Sequence, residues 1–277
     1  MMKVAYTGWT WIASQEPKLA KMFLEQSFKE CKYLGYDYVE NFAFIRDYYA
    51  DNPQELVELT RKYDVQLVNL YGHFGFDVEA ALETGKKQVE FLAAVGGKWY
   101  NCQNAGFGDD GPSERPMNPE MLDKMCEIVN RLGAYALSLG VKVCFHPHYG
   151  TCVFSQEDID YFAAHTDPRY VFFCFDTAHT TLAGIDPVKL IHQYGSRIAY
   201  MHLKDVDTYA LTKAEGPAKM ATFRALGQGT VDFPAVKAAL EEEGYDGVLC
   251  VELDRPAICN YNSAEISRIY IKNVLGL

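Results

Sequence analysis

Short apolar runs alternate with longer amphipathic segments along the whole chain, and glycine or proline marks many of the boundaries. The short runs predict buried strands, and segments with apolar residues every three to four positions predict helices that pack on those strands. The predicted strands are 4–8, 36–40, 65–71, 99–103, 141–145, 170–175, 198–203 and 248–252. The predicted helices are 17–34, a segment from Pro53, 78–95, 118–139, segments near Ser155 and after Pro187, 233–243 and 264–274.

Eight strand–helix units in one chain of 277 residues predict an α/β fold, the (β/α)8 TIM barrel, which is typically about 250 residues long. No linker or low-complexity tract divides the chain, so we expect a single domain over residues 1–277. The functional residues of such barrels lie at the carboxyl ends of the strands. The residues at those ends are therefore the first to consider.

Four consecutive predicted strands end on side chains that can bind a divalent metal: His146, Asp176, His202 and Glu252. Parallel strands of one barrel present their carboxyl ends on the same side, so these side chains should lie close together. Burying a carboxylate or an imidazole is costly unless something pairs with it. Two imidazoles and two carboxylates suit transition metals. We predict one divalent metal, Mn²⁺ or Co²⁺ in preference to Zn²⁺, Fe²⁺ or Mg²⁺.

Each of these residues also has an ordinary structural interpretation. A single histidine at a strand end is usually a hydrogen-bonded core residue, Asp176 could be a helix N-cap, and Glu252 could pair with Arg255. Four such residues at the ends of four parallel strands favour the shared metal.

Several segments, in this order, resemble the sugar-phosphate isomerase/epimerase superfamily of xylose isomerase-like barrels. They are His146-Pro147-His148, Phe175-Asp176-Thr177-Ala178-His179, His202-Leu203-Lys204-Asp205, residues 227–233 and Val251-Glu252-Leu253. The resemblance spans essentially the whole chain, and it implies that the single-metal site of the superfamily falls on the four strand-end residues. It says much less about the substrate.

One position departs from the pattern of most members, which carry glutamate where this chain has His146. In the keto-sugar epimerases, that glutamate and the strand-eight glutamate exchange protons with opposite faces of the substrate. A histidine bound to a metal is a poor replacement base. The segment from His146 to Thr151 instead looks like the His-x-His-x-Gly-Thr segment of the inosose dehydratases. Residues 227–233 look like the corresponding segment of the inositol-catabolic isomerases. The resemblance thus implies a lyase that removes water from a keto-polyol or keto-sugar.

Three residues are candidates for proton transfer. Lys204 follows His202 by two positions, so both side chains face the barrel interior, where a nearby cation would make the amine a usable acid or base. Its alternative role is an ion pair with Glu40 or Asp205. His148 could protonate a leaving hydroxyl or support the metal ligands. The third candidate, in addition to its place in the metal site, is Glu252.

Other polar side chains near the strand ends are candidates for substrate contacts. They are Glu40, His73, Gln103, His179 and Arg255. Arg255 could clamp a substrate anion, although a salt bridge to a carboxylate is the commoner role. The connection 205–229 is long enough to act as a lid, and it lacks a glycine-rich phosphate nest, which favours an unphosphorylated polyol.

Composition excludes some classes of function. A net charge of −11 disfavours a nucleic-acid surface, and no apolar stretch approaches the ~20 residues that cross a bilayer. The first residues lack a signal-peptide apolar segment, and the eight cysteines contain no Cys-x-x-Cys pair, so we expect free thiols and a cytoplasmic protein. A homo-oligomer is left open.

Four other functions share parts of this pattern. They are an aldose–ketose isomerase or ketose 3-epimerase, a lyase that acts on 3-keto-glycosides, a non-catalytic sugar-binding barrel and an apurinic-site endonuclease. The last needs three metals, but the chain lacks the Asp-x-His pair of that family, and its charge is unfavourable. The dehydratase type remains our first expectation.

Overall fold

A computed structural model describes residues 2–12, 16–104 and 117–277. Ten strands lie in these ranges: β1 (Lys3–Thr7), β2 (Tyr38–Phe42), β3 (Gln66–Phe74), β4 (Trp99–Asn104), β5 (Lys142–Phe145), β6 (Val171–Asp176), β7 (Ile198–Leu203), β8 (Asp205–Val206), β9 (Phe223–Arg224) and β10 (Val248–Val251). All except the short β8 and β9 pair in parallel as a closed barrel in the order β1-β10-β7-β6-β5-β4-β3-β2. The predicted eight-stranded barrel is confirmed.

The described helices lie between the barrel strands. They are α1 (Pro17–Leu34), α2 (Arg46–Tyr49), α3 (Pro53–Tyr63), α4 (Val78–Ala94), α5 (Pro119–Ser138), α6 (Gln156–His165), α7 (Thr177–Leu182), α8 (Pro187–Tyr194), α9 (Thr208–Leu211), α10 (Phe233–Glu242) and α11 (Asn260–Tyr270). Short 3-10 segments cover Trp9–Trp11, Ala43–Ile45, Gly195–Arg197 and Gly216–Thr222, and a π-helical turn covers Ile271–Leu275.

The apolar residues form a large core between the barrel and its helices and a smaller one inside the barrel. The inner core contains small side chains and thiols together with aromatic rings: Ala5, Val68, Cys144, Cys174, Ala199, Tyr200, Val248 and Cys250, with Tyr38, Trp99 and Phe172 packed against them. Side chains on a strand alternate between its two faces, so residues two positions further along also face inward. The polar side chains at the strand ends therefore lie on top of an apolar layer inside the barrel.

Several element boundaries differ from the sequence prediction by one to four residues, and two of them have a clear structural cause or consequence. The second strand begins at Tyr38 rather than at residue 36, because Tyr36 still belongs to the turn that ends α1. The Tyr36 amide donates to the Cys31 carbonyl, and the preceding Gly35 adopts φ +90°. The buried Tyr36 hydroxyl donates to the Ala264 carbonyl. The last helix begins at Asn260, four positions before the predicted residue 264, and passes into the π-helical turn.

The connection after β7 contains structure that the pattern did not predict. Strands β8 and β9 pair antiparallel, and α9 and a 3-10 segment lie between them. The buried Asp205 carboxylate accepts hydrogen bonds from the amides of Gly227, Gly229 and Val231. Asp205 therefore closes this connection at its base and is not the ion-pair partner of Lys204. A lid role for residues 205–229 stays a prediction.

Replacing Gly133 by alanine should destabilise the fold even though alanine favours a helix. A Cβ at Gly133 in α5 would lie 2.5 Å from the backbone oxygen of Tyr170, which cannot move easily. We expect a net loss of about 1–3 kcal/mol, since overpacking outweighs the propensity gain of about 1 kcal/mol. Urea unfolding of Gly133→Ala measures this loss.

The matched control is Gly85→Ala in α4, where the Cβ would meet the flexible end of Leu132 at 2.7 Å. A leucine side chain can rotate away, so this variant should lose less stability than Gly133→Ala. Equal or higher stability of Gly133→Ala relative to the unchanged protein would contradict the packing described for α5.

Candidate metal centre

The four residues predicted to bind a metal meet at the carboxyl end of the barrel. Asp176 pairs with His202 across β6 and β7, and the amides of His146 and Glu252 donate to the Cys102 and Leu203 carbonyls one step beyond β5 and β10. One donor atom from each of the four lies within 4.8 Å of the others, and all four side chains are buried. Barrel register therefore brings together residues that are far apart in sequence.

The donor atoms have the separations that a divalent ion requires. His202 Nδ1 lies 3.1 Å from His146 Nε2, 3.0 Å from Glu252 Oε2 and 4.0 Å from Asp176 Oδ2. Ligand bonds of about 2.0–2.2 Å place tetrahedral donors about 3.4 Å apart. Asp176 Oδ2 is buried and accepts no hydrogen bond within the described part of the chain, although Lys204 Nζ lies 3.3 Å from it as an ion-pair partner. The residues therefore fit a divalent metal.

Asp176 serves two neighbours with its two oxygens. Oδ1 accepts from the amides of Ala178 and His179 at 2.7 and 2.9 Å and thereby caps α7, while Oδ2 faces the donor cluster. Asp176 is therefore the N-cap of α7, as the alternative interpretation held, and the cap leaves its second oxygen free to serve as a candidate metal ligand. Because the cap fixes the carboxylate, Oδ2 is held toward the other donors.

His202 has a carboxylate on each ring nitrogen. Its Nε2 lies 3.0 Å from Glu40 Oε2, and its Nδ1 lies 3.0 Å from Glu252 Oε2. Burial alone lowers the pKa of His202, but the Glu40 and Glu252 carboxylates outweigh burial and hold the pKa well above its ordinary value. His202 therefore carries a proton that a metal ion must displace.

Lys204 is buried among three carboxylates. Its Nζ lies 2.8 Å from Glu252, 3.1 Å from Asp254 and 3.3 Å from Asp176. Burial lowers the pKa of Lys204, but Asp176, Asp254 and Glu252 outweigh it and raise the pKa well above the ordinary value. The predicted alternative partners, Glu40 and Asp205, do not pair with Lys204. Glu40 contacts His202 and Asp205 accepts from backbone amides, whereas Asp176, Glu252 and Asp254 lie next to Nζ.

The same charges act on Glu252. Burial raises the pKa of this carboxyl, yet the Lys204 and His202 charges outweigh burial and hold it well below the usual range. Glu252 is therefore ionised. Its alternative partner Arg255 is exposed instead, and no ion pair joins the two within the part of the chain that the structure describes.

Two further histidine rings contact each other beside the cluster, with their planes tilted by 40°. The rings of His148 and His179 have centroids 3.7 Å apart. His148 Nδ1 donates to the Tyr149 carbonyl at 2.6 Å, and His179 Nδ1 accepts from the Tyr149 amide at 3.4 Å. Burial and the Lys204 charge lower the pKa of His148 to about 3, and burial and His148 lower that of His179 well below its ordinary value. Both rings are therefore neutral.

The hydrogen bonds define which nitrogen of each ring carries the proton. Since the Tyr149 carbonyl can only accept, the proton of His148 is on Nδ1, and its Nε2 has a free lone pair. Since His179 Nδ1 accepts, its proton is on Nε2, which is buried without a hydrogen-bond partner among the described residues. One ring thus offers an acceptor and the other a donor.

Of the other residues predicted to contact substrate, Gln103 is buried and His73 is exposed. The Tyr71 hydroxyl donates to Gln103 Oε1 at 2.7 Å, and its ring lies 5.3 Å from that of His146. His73 is exposed and stacks on Tyr71 with centroids 5.1 Å apart. These residues line one side of the metal-binding candidates.

Three functional candidates received no role in the sequence prediction. Asp254 contacts Lys204, Asn101 donates to Glu40 Oε2 at 3.0 Å, and Tyr71 contacts the rings of His146 and His202. Alternation would have indicated Asp254, because it lies two positions after Glu252 and so faces inward too. Asn101 and Tyr71 stand at strand ends, but no sequence signal separates them from ordinary core residues.

The chain belongs to the family described as Xylose isomerase-like TIM barrel, which it matches over residues 28–269. It is 28% identical to a protein named inosose dehydratase from Geobacillus kaustophilus (strain HTA426), over 96% of this chain and 92% of the relative. The predicted membership of the superfamily is thereby confirmed. Among the described helices, none is long and apolar enough to cross a membrane.

Solved structures share the fold at lower identity. A D-allulose 3-epimerase from Methylomonas sp. in complex with D-allulose superimposes with a TM-score of 0.77 at 19% identity, covering 98% of this chain and 96% of that one. A crystal structure of IOLI protein with a binding zinc atom gives 0.77 at 20% identity, covering 99% and 98%. At these identities the similarity establishes the fold alone.

Metal binding should release protons, because the metal and a proton compete for His202 Nδ1. The raised pKa of His202 means that the ring is protonated at neutral pH, so affinity should rise with pH until the ring loses its proton. We expect release of about one proton per ion near pH 7. Calorimetric titration with Mn²⁺ or Co²⁺ in buffers of different ionisation enthalpy measures it.

The control is His165→Gln, which changes an exposed histidine outside the cluster and should leave proton release unchanged. Identical heats in every buffer for the unchanged protein would show that His202 binds without losing a proton.

Proposed function

We propose that this protein is a divalent-metal-dependent lyase of the inosose dehydratase type, which removes water from an unphosphorylated keto-polyol. The observation that carries the proposal is the asymmetry of the site. A lysine ammonium contacts the Glu252 carboxylate at 2.8 Å, while the strand-five position holds the imidazoles of His146 and His148 instead of a second carboxylate. Relatives named inosose dehydratase, similar over nearly the full length, support the same activity.

Four donor atoms would hold the metal: His146 Nε2, Asp176 Oδ2, His202 Nδ1 and Glu252 Oε2. When bound, a divalent ion stabilises the negative charge that develops on the substrate carbonyl oxygen as the neighbouring C–H bond breaks. Two imidazoles and two carboxylates favour Mn²⁺ or Co²⁺, with Zn²⁺, Fe²⁺ and Mg²⁺ as the other ions to test.

His148 is proposed as the base that takes the proton from the carbon next to the carbonyl. Its Nδ1–H is held by the Tyr149 carbonyl, so the lone pair of Nε2 is available, and the half-buried ring can be reached by a substrate. The hydrogen bond thus favours a base over the acid that the sequence suggested for His148. Because the lowered pKa makes the ring a weak base, it can take this proton only when the charge on the substrate carbonyl oxygen is stabilised. A well-placed base contributes roughly 10²–10⁴ in rate.

Lys204 is proposed as the acid that protonates the leaving hydroxyl. The three carboxylates around Nζ keep it an ammonium group. As the C–H electron pair forms the new carbon–carbon double bond, the hydroxyl on the next carbon takes a proton from Lys204 and leaves as water. The proton on His148 returns to Lys204 through solvent, so the cycle is balanced. Glu252 orients Lys204 in addition to holding the metal.

Substrate hydroxyls would contact the polar groups beside the metal. His179 Nε2–H is a buried donor without a partner among the described residues, and Gln103 has an amide nitrogen beyond its bond from Tyr71. His73 and Arg255 are exposed, and we assign them to the outer part of the substrate. The neutral donors of His179 and Gln103 suit the hydroxyls of a polyol.

The purified protein with Mn²⁺ or Co²⁺ should convert inosose to a dehydrated dione, detected by its ultraviolet absorption, and chelation should abolish the reaction. A 3-keto-glucoside is the second substrate to assay, because the same elimination chemistry applies. No elimination product from either substrate would contradict the proposal. Solvent deuterium in an isomeric ketose without loss of water would instead identify an isomerase or epimerase.

Lys204→Met and His148→Asn should each lower kcat by about 10²–10⁴, because each removes one proton-transfer group. Metal content is measured for both variants, so that loss of the ion is distinguished from loss of the proton-transfer step. Lys87→Met, at an exposed lysine in α4, is the control and should keep full activity. Full activity in either site variant, with metal bound, would remove that residue from the mechanism.

A further inference from the structure

We infer that Glu40 is a positioning residue of the metal centre, which sets the proton position and ring orientation of His202. The inference rests on the metal site of the proposed function but not on its substrate. The sequence suggested that Glu40 contacts substrate hydroxyls, and the contacts in the barrel point to a different role.

Glu40 is wholly buried in β2, and one of its oxygens makes two hydrogen bonds. Oε2 lies 3.0 Å from His202 Nε2 and accepts from Asn101 Nδ2 at 3.0 Å. No lysine or arginine pairs with Glu40 in the described ranges, so its closest basic group is the ring of His202. The Asn101 amide holds the carboxylate oxygen at that ring.

This contact favours one nitrogen of His202 for metal binding. Each ring nitrogen faces a carboxylate that can only accept, but Glu252, at Nδ1, belongs to the group of four donor atoms with His146 and Asp176. When an ion binds at Nδ1, the ring proton therefore stays on Nε2, where Glu40 accepts it. Nδ1 is also the nitrogen that lies 3.1 Å from His146 Nε2 and 3.0 Å from Glu252 Oε2. The two ring nitrogens diverge, so Glu40 lies on the side of the ring that faces away from the other donors.

Packing alone does not explain a carboxylate at this position. The neighbouring interior positions of the barrel hold thiols and aromatic rings such as Cys174, Cys250 and Tyr200. A buried carboxylate is costly without a partner, and Glu40 Oε1 has no hydrogen-bond partner among the described residues. Carboxylates that accept from a metal-bound histidine are known to fix its ring and increase its basicity as a ligand.

Glu40→Gln should weaken Co²⁺ binding by about 10–100-fold, because glutamine keeps the shape but removes the charge that orients His202. Affinity is measured by competition with a chromophoric chelator, and the visible absorption of the Co²⁺-loaded protein reports the ligand geometry. We expect a changed spectrum as well as a lower affinity.

Asp158→Asn is the matched control. Asp158 is also a buried carboxylate, but it belongs to the capping box of α6 and touches no metal-binding candidate. This variant should lose stability while keeping the affinity and spectrum of the unchanged protein. Unchanged Co²⁺ affinity and spectrum in Glu40→Gln would overturn the inference, and so would equal losses in the two variants.

A second measurement needs no variant and decides the matter if Glu40→Gln does not fold. Long-range ¹H–¹⁵N spectra of the Zn²⁺-loaded protein should show the His202 proton on Nε2, whereas a proton on Nδ1 would overturn the inference. Failure of the dehydratase assay in a protein that binds metal would count against the proposed function alone. Unchanged metal binding by Glu40→Gln in an active enzyme would count against the inference alone.

Discussion

A shortage of positive charge at the carboxyl end of the barrel determines the arrangement of the residues around it. Four carboxyl groups converge there, and within the ranges that the structure describes a lysine and one protonated histidine lie against them: Glu40, Asp176, Glu252 and Asp254 against Lys204 and His202. Buried charges of one sign repel strongly in a medium that screens them poorly. A dication among the four donor atoms would supply the missing charge, and the donor set of two imidazoles and two carboxylates fits such an ion.

The barrel holds this charged cluster rigidly because the main chain does much of the positioning. Asp176 is fixed by two helix amides, Asp205 closes the long connection through backbone amides, and the inner core of thiols and rings supports the strand ends from below. Residues that bind an ion must be held closely before it arrives, since loose ligands lose affinity. The fold therefore places the candidate donor atoms before any ion binds.

The proposed chemistry depends on the two sides of the cluster being different. One side has an ammonium group held by carboxylates, and the other has a neutral imidazole whose proton is held by a carbonyl. Such an acid–base pair suits the removal of a proton and a hydroxide from neighbouring carbons, whereas symmetric proton exchange requires two equivalent bases. The inferred role of Glu40 is indirect, because its carboxylate contacts the ring of His202 on the side away from the other donor atoms.

The sequence by itself determined the barrel and the four strand-end donors. Periodicity and breakers are local properties, so α1 and β7 were predicted with their observed bounds, and alternation placed the strand-end side chains inside. Only the tertiary structure decided the partners of Lys204, the role of Asp254, the proton positions on His148 and the contact of Glu40 with His202. Glu40 and His202 are 162 residues apart, and barrel closure alone brings β2 and β7 near enough for that contact.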